Sequence, residues 1–205
     1  RSAVSAWCDG DSTTYGHIKC WDTSAVTAMS CLFCSYGTCS SFSSFNEDIS
    51  AWDVSRVTTM YDLFYGAESF NGDLSSWDVS SVIDMSGMFQ YASDFNGDLS
   101  SWDVSRVTNM YGMFYNATSF DVDLSPWDIS SVGDTAYMFY GASSFSQTLC
   151  WDTSSVSSSD DMFTNSAGGS LSTYSAYAMY DSSYSYSYSY SELRSAVSAW
   201  CDGDS

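Results

Sequence analysis

The sequence predicts an α/β solenoid: a stack of about six 25-residue coils with short parallel strands and short helical turns, capped by an N-terminal amphipathic helix. Three observations carry this. Tryptophan followed by aspartate recurs at Trp21, Trp52, Trp77, Trp102, Trp127 and Trp151, with spacings of 31, 25, 25, 25 and 24 residues. Aligned on these tryptophans, the apolar residues fall into columns. Between the columns lie Ser, Asp, Asn, Gly and Tyr, the residues of turns and solvated faces.

The columns justify the elements in order. Two residues after the tryptophan stand Val54, Val79, Val104 and Ile129, and five after it Val26, Val57, Val82, Val107, Val132 and Val156. Met29, Met60, Met85 and Met110 come eight after it, and Phe33, Phe64, Phe89, Phe114, Phe139 and Phe163 twelve after it. A second aromatic column is Phe45, Phe70, Phe95, Phe120 and Phe145. The V-x-x-M and D-L-S stretches are expected to be short parallel strands. The M-F-Y-G-A stretch is expected to be one helical turn closed by a glycine such as Gly66 or Gly141, which tolerates the left-handed conformation at a helix end. One unit cannot bury its own apolar face, whereas stacked units share one core.

The ends are irregular. The first unit is longer, with an insert around CSYGTCS, and the unit after Trp151 decays, with Ser159 where methionine is expected. From Tyr174 to Tyr190 tyrosine alternates with serine, which reads as an extended strand or a low-complexity linker. The twelve residues RSAVSAWCDGDS occur twice, at 1–12 and at 194–205, an offset of 193. Glu192, Leu193, Arg194, Ala196, Val197 and Trp200 have the spacing of a short amphipathic helix with Ser191 as N-cap. The expected organisation is a capping segment at 1–20, the repeat solenoid at 21–173, the Tyr/Ser-rich strand or linker at 174–191, and the start of the next identical module at 192–205.

Composition excludes whole classes of function. Lysine and arginine total 5 against 25 aspartates and glutamates, a formal charge of −20, so phosphate backbones and anionic membrane surfaces are repelled: no nucleic acid is expected as partner. No apolar run approaches the roughly 20 residues of a membrane span. Aromatic residues make up 18% of the chain, far too many for an acidic disordered segment. The sequence opens at Arg1 without a signal-peptide pattern, as expected of a mature product or a window of something longer. There is one histidine, His17, and no catalytic or nucleotide-binding motif, so no enzymatic activity and no organic cofactor are expected.

The run WDVSSVxxM followed by MFxxAxxFNxDLSS resembles BspA-like leucine-rich-repeat surface proteins, known from bacterial surface lipoproteins and unicellular algae. The resemblance extends from Trp21 to Phe163, and the opening RSAVSAWC…TYGHIKCWDTSAVT is similar to the segment that begins such proteins. It implies a leucine-rich-repeat-like coil in which Phe, Trp and Met replace many leucines. It also implies an exported or cell-surface location and a structural or binding role, and it transfers no catalytic residue.

Seven cysteines are present: Cys8, Cys20, Cys31, Cys34, Cys39, Cys150 and Cys201. Cys201 is the counterpart of Cys8, so one 193-residue period holds an even number, which in an exported chain argues for disulfides. The expected arrangement links Cys150 to Cys201 across the module junction and pairs Cys20, Cys31, Cys34 and Cys39 within the first coils. A rival reading makes Cys31-x-x-Cys34 with Cys39, His17 or Cys20 a zinc site. Asn46/Asp48, Asn71/Asp73, Asn96/Asp98 and Asp121/Asp123 stack with Asp53, Asp78, Asp103 and Asp128, and two roles fit them: calcium ligands, or Asx side chains that satisfy turn amides. Asn116-Ala117-Thr118 is an N-glycosylation sequon at a surface turn. The function expected is a structural extracellular tandem-repeat protein whose modules join head to tail into a cell-surface filament, hair or coat, with further copies of the module as partners. The alternative is an adhesion or glycan-binding module using Tyr61, Tyr65, Tyr111 and Tyr115.

Overall fold

The computed structural model describes Val4, residues 16–35 and residues 40–172. Within these residues each repeat lies in register against the next. Single parallel bridges join Ala28 to Thr59, Thr59 to Asp84, Asp84 to Asn109, Asn109 to Asp134 and Asp134 to Ser158. The repeat from Trp77 shows how the backbone is satisfied. The amides of Met85, Gly87, Phe89 and Tyr91 donate to the carbonyls of Asn109, Tyr111, Met113 and Tyr115 in the next repeat, at 2.8–3.0 Å. The amides between them turn back on their own chain, Met88 to Met85, Gln90 to Gly87 and Ala92 to Phe89. Successive N–H groups thus alternate between a neighbouring repeat and a local turn, which leaves none of this buried stretch unpaired.

That alternation corrects the predicted fold class. The α/β solenoid of six strand-and-helix coils is not what forms. The only sheet among the described residues is one pair of parallel two-residue strands, β1 (Thr148–Leu149) and β2 (Ser170–Leu171), with Thr148 opposite Ser170. Apart from Val4, the helical elements among the described residues are two 3₁₀ turns, Ile18–Cys20 and Ser40–Ser44. Backbone conformation supplies the reason. Each of the four middle repeats has two left-handed residues four positions apart: Asp62 and Gly66, Gly87 and Tyr91, Gly112 and Asn116, Tyr137 and Gly141, with φ between 52° and 68°. A helix needs a run of right-handed residues whose amides bond four back, and here the run between reversals is three residues long. The M-F-Y-G-A stretch therefore makes turns rather than a helix, and the V-x-x-M stretch contributes one bridge rather than a strand.

The apolar columns are where the repeat places them. Phe64, Phe89, Phe114 and Phe139 are fully buried, as are Phe70, Phe95, Phe120 and Phe145. Within a repeat the two rings stack closely, Phe89 on Phe95 at 3.9 Å and Phe139 on Phe145 at 4.0 Å. Between repeats each ring lies on its counterpart, Phe64 on Phe89 at 5.5 Å and Phe89 on Phe114 at 5.6 Å. The buried indoles keep their N–H groups bonded: Trp77 Nε1 donates to the Ile49 carbonyl, Trp102 to Leu74, Trp127 to Leu99 and Trp151 to Leu124, at 2.9–3.2 Å. A tryptophan at this column is thus both packing and a tie to the preceding repeat.

After the long insert of the first repeat, Phe42 is added to the core edge-on to Phe33 at 5.7 Å. Val4, the counterpart of Val197, is helical and packs in the core. Residues 1–3 and 5–15 of the expected capping segment, the Tyr/Ser-rich stretch 174–191 and the expected helix at 192–200 lie outside the described residues.

Candidate functional site

Two columns on the turn face break the repeat, and the break makes a groove. Nine residues after each tryptophan the chain reads Tyr61, Ser86, Tyr111, Ala136; one residue further it reads Asp62, Gly87, Gly112, Tyr137. Small residues therefore sit at Ser86, Gly87 and Gly112, with tyrosines before and after them. The result is an open groove of about 510 Å³ walled by Tyr61, Tyr65 and Tyr111, with Gly87 at its base and Gln90, Asn109 and Asp134 on its rim. Tyr61 and Tyr111 are 45% and 44% exposed, unusual for large rings in so regular a molecule.

The groove is acidic and without a cation. Asp62 is buried, and a Cβ at Gly87 would overlap its Oδ1. Gln90 reaches over the two glycines, its Oε1 3.3 Å from where a Cβ on Gly87 would sit and 3.7 Å from one on Gly112. Asn109 Oδ1 accepts from the Tyr111 amide at 3.0 Å, and Asp134 Oδ1 from the Ala136 amide at 2.9 Å. Partial burial pushes the Tyr65 phenol up, and Tyr91, Asp62 and Tyr61 beside it act in the same direction. Of the four tyrosines expected to act together, Tyr61, Tyr65 and Tyr111 line this groove. Tyr115 does not line it but continues the same row of rings: Tyr91 lies 5.4 Å from both Tyr65 and Tyr115, and Tyr115 stacks on Tyr140 at 4.9 Å.

The aspartate columns have a different occupation. Asp73 Oδ1 accepts from the Ser75 amide at 3.0 Å and the Ser75 hydroxyl at 2.7 Å, and Asp48, Asp53, Asp78 and Asp103 repeat this with their own serines. The asparagines link repeats: Asn46 Oδ1 accepts from Asn71 N, Asn71 Oδ1 from Asn96 N, and Asn96 Oδ1 from Asp121 N, at 2.9–3.0 Å. The aspartate oxygens serve turn amides two residues on, which is the Asx role, while the asparagine oxygens bond the amide of the next repeat. Among the described residues no group of three or more His, Cys, Asp or Glu side chains is arranged to hold a metal ion.

The serine bonds hold the Asp73 carboxyl below the usual 3.8, the hydroxyl contributing most and the amide next, against small opposing effects of burial and of Asp48. A carboxyl lowered in the folded state stabilises the fold above its unfolded value, and that contribution is lost as the pH falls through the folded one. Ser75→Ala is therefore expected to move the Asp73 titration upward in a carboxyl NMR titration. Its melting temperature should also fall less than the parent's between about pH 5 and pH 3.

Cys31 and Cys34 form a disulfide with Cα atoms 4.8 Å apart. Cys150 is also disulfide-bonded, and its partner is not among the described residues; Cys8, Cys39 and Cys201 all lie outside them. Cys20 is exposed, with a free thiol. This corrects the expectation that Cys20 shares a bond with Cys31, Cys34 or Cys39: the first two are satisfied by each other, and Cys20 ends the surface 3₁₀ turn Ile18–Cys20. Alkylation of the native protein followed by peptide mapping is expected to modify Cys20, and Cys31 and Cys34 only after reduction.

With the repeat frame in place, comparison with known families becomes informative. The sequence matches the family described as Mycoplasma protein of unknown function, DUF285, at residues 4–103 and again at 73–177. The chain belongs to this family. The two matches overlap within the repeats, as expected where a single profile finds several registers of one repeating pattern. No curated protein and no solved structure matched the chain.

In this DUF285 chain the sequon residue Asn116 is half-buried with φ 53°, and a Cβ at Gly141 would overlap its Oδ1. The side chain thus packs over the next repeat's glycine, while Thr118 is exposed and donates to the Ser93 carbonyl at 3.2 Å. The groove residues that sequence reading missed are Asp62, Ser86, Gln90, Asn109 and Asp134. Their signal was present, since the Tyr/Ser/Tyr/Ala alternation stands in a column otherwise treated as surface.

Proposed function

We propose that this DUF285 chain is a non-enzymatic structural module of an extracellular tandem array, joined head to tail into a cell-surface filament, hair or coat. The observation that carries the reading is the recurrence of RSAVSAWCDGDS at an offset of 193 residues, which supports reading the module as one period of a tandem array. The packing supports it. Phenylalanine stacks on phenylalanine from Phe33 through Phe163, so neighbouring repeats form one apolar column suited to bearing load along the stack. Disulfide bonding at Cys31, Cys34 and Cys150 fits an oxidising, extracellular location. The finer likeness to BspA-like leucine-rich-repeat surface proteins points the same way. Among the described residues no helix is long and apolar enough to cross a membrane.

Intact mass of the natural polypeptide tests the proposal. A filament array is expected to give a polypeptide several 193-residue periods long, visible as a thread by electron microscopy of the cell surface. A natural chain holding one period and dispersed as a monomer overturns it.

A further inference from the structure

We infer that the groove between Tyr61 and Tyr111 is a binding site for a neutral saccharide, which adds a recognition function to the structural role proposed above. The argument starts from the break in the repeat. Tyrosines at the same column are two repeats apart, and between them stand Ser86 and Gly87, both buried at the base. Two ladder spacings are about 9.6 Å, and the facing tyrosine rings each take about 1.7 Å of it, half the thickness of an aromatic ring, which leaves roughly 6 Å, room for one pyranose ring. A regular repeat with tyrosine at 86 would close this space.

The groove's chemistry selects the occupant. Exposed tyrosine faces are electron-rich and attract the C–H face of a pyranose. Hydroxyl groups need both donors and acceptors at fixed points. Asn109 and Asp134 each hold a turn amide through Oδ1, so their Nδ2 and Oδ2 are the atoms that meet a ligand, and Gln90 adds a carboxamide above Gly87 and Gly112. Neither Lys nor Arg lines the groove, while Asp62 and Asp134 do, within a chain of formal charge −20. Sialylated, sulfated and phosphorylated glycans are therefore repelled. The open form, shared by four repeats at Asp62, Gly87, Tyr111 and Asp134, fits a stretch of saccharide chain rather than a single caged cation. The volume, about 510 Å³, is that of an ordinary small-ligand site.

The test uses the full chain and the neutral trisaccharides of glucose, mannose and galactose, followed by saturation-transfer NMR and titration. One of these sugars is expected to bind, with transfer strongest at its ring C–H protons. Tyr61→Ala and Tyr111→Ala are expected to weaken binding about tenfold or more each, since each removes a wall. Ser86→Tyr is the decisive variant: it puts in the gap the residue that flanks it at the same column, so the fold is retained on melting while the site is filled and binding is lost. Tyr140→Phe, whose ring does not line the groove, should bind as the parent does. The inference is overturned if none of the neutral sugars binds, if binding survives Ser86→Tyr, or if a sialylated or sulfated sugar or tetramethylammonium binds in their place.

Discussion

Phe89→Ala is expected to cost about 3–5 kcal/mol, at the upper end for a large-to-small core change. Phe89 has no solvent exposure and lies between three rings: Phe95 of its own repeat at 3.9 Å, Phe64 of the repeat before at 5.5 Å and Phe114 of the repeat after at 5.6 Å. Truncation leaves a void that neither neighbour can fill, because each is fixed by its own stack and by an amide bond to the next repeat; the Phe89 N–H itself donates to Met113. Set against the roughly 5–15 kcal/mol stability of a domain, this is a large share. Unfolding should therefore begin at this repeat and lose the cooperativity that nearest-neighbour contacts provide. Ser100→Ala supplies the contrast. Its amide bond to Asp98 Oδ1 survives the change, and the cost should stay under about 0.5 kcal/mol. Thermal melts of the two variants decide the matter, and equal effects would dismiss the column assignment.

The same residues show what the sequence made legible. Period, core columns and the polar role of the W-D aspartates are all one-dimensional signals, because a residue that recurs every 25 positions meets its own counterpart. Backbone class was not legible in this way. V-x-x-M has the composition of a strand and M-F-Y-G-A that of a helical turn, yet neither forms, since Asp62, Tyr91, Asn116 and Tyr137 adopt left-handed φ without being glycine. Propensity gives such residues little weight in that region. What holds them there is the neighbouring repeat, whose carbonyls take every second amide, a tertiary constraint no local window contains. The groove was half legible: the tyrosines stood out by exposure-prone spacing, whereas Gly87 and Gln90 acquire meaning only when Asp62 and Gly112 are brought beside them.

Gly141→Ala is expected to cost about 2–5 kcal/mol, although it adds one methyl group. Two effects combine. Gly141 has φ +68°, where an L-residue is disfavoured by about 1–2 kcal/mol. The new Cβ would also coincide with Asn116 Oδ1, and Asn116 cannot withdraw easily because its own amide is bonded to the Tyr140 carbonyl at 2.7 Å. Overpacking of this kind adds about 1–3 kcal/mol. The two contributions are separable. Asn116→Gly keeps the left-handed turn while removing the carboxamide, so in the double variant only the conformational penalty at 141 remains. The coupling between the positions should then be about 1–3 kcal/mol in favour of the double variant. Measured by denaturant titration on protein from a host without N-glycosylation, additive single effects would show that the Asn116 side chain does not occupy the space above Gly141. Coupling of the expected sign would explain why glycine follows Asn116 in the next repeat, and Gly87 follows Asp62 in the neighbouring column: a Cβ at Gly141 would overlap Asn116 Oδ1 as one at Gly87 would overlap Asp62 Oδ1.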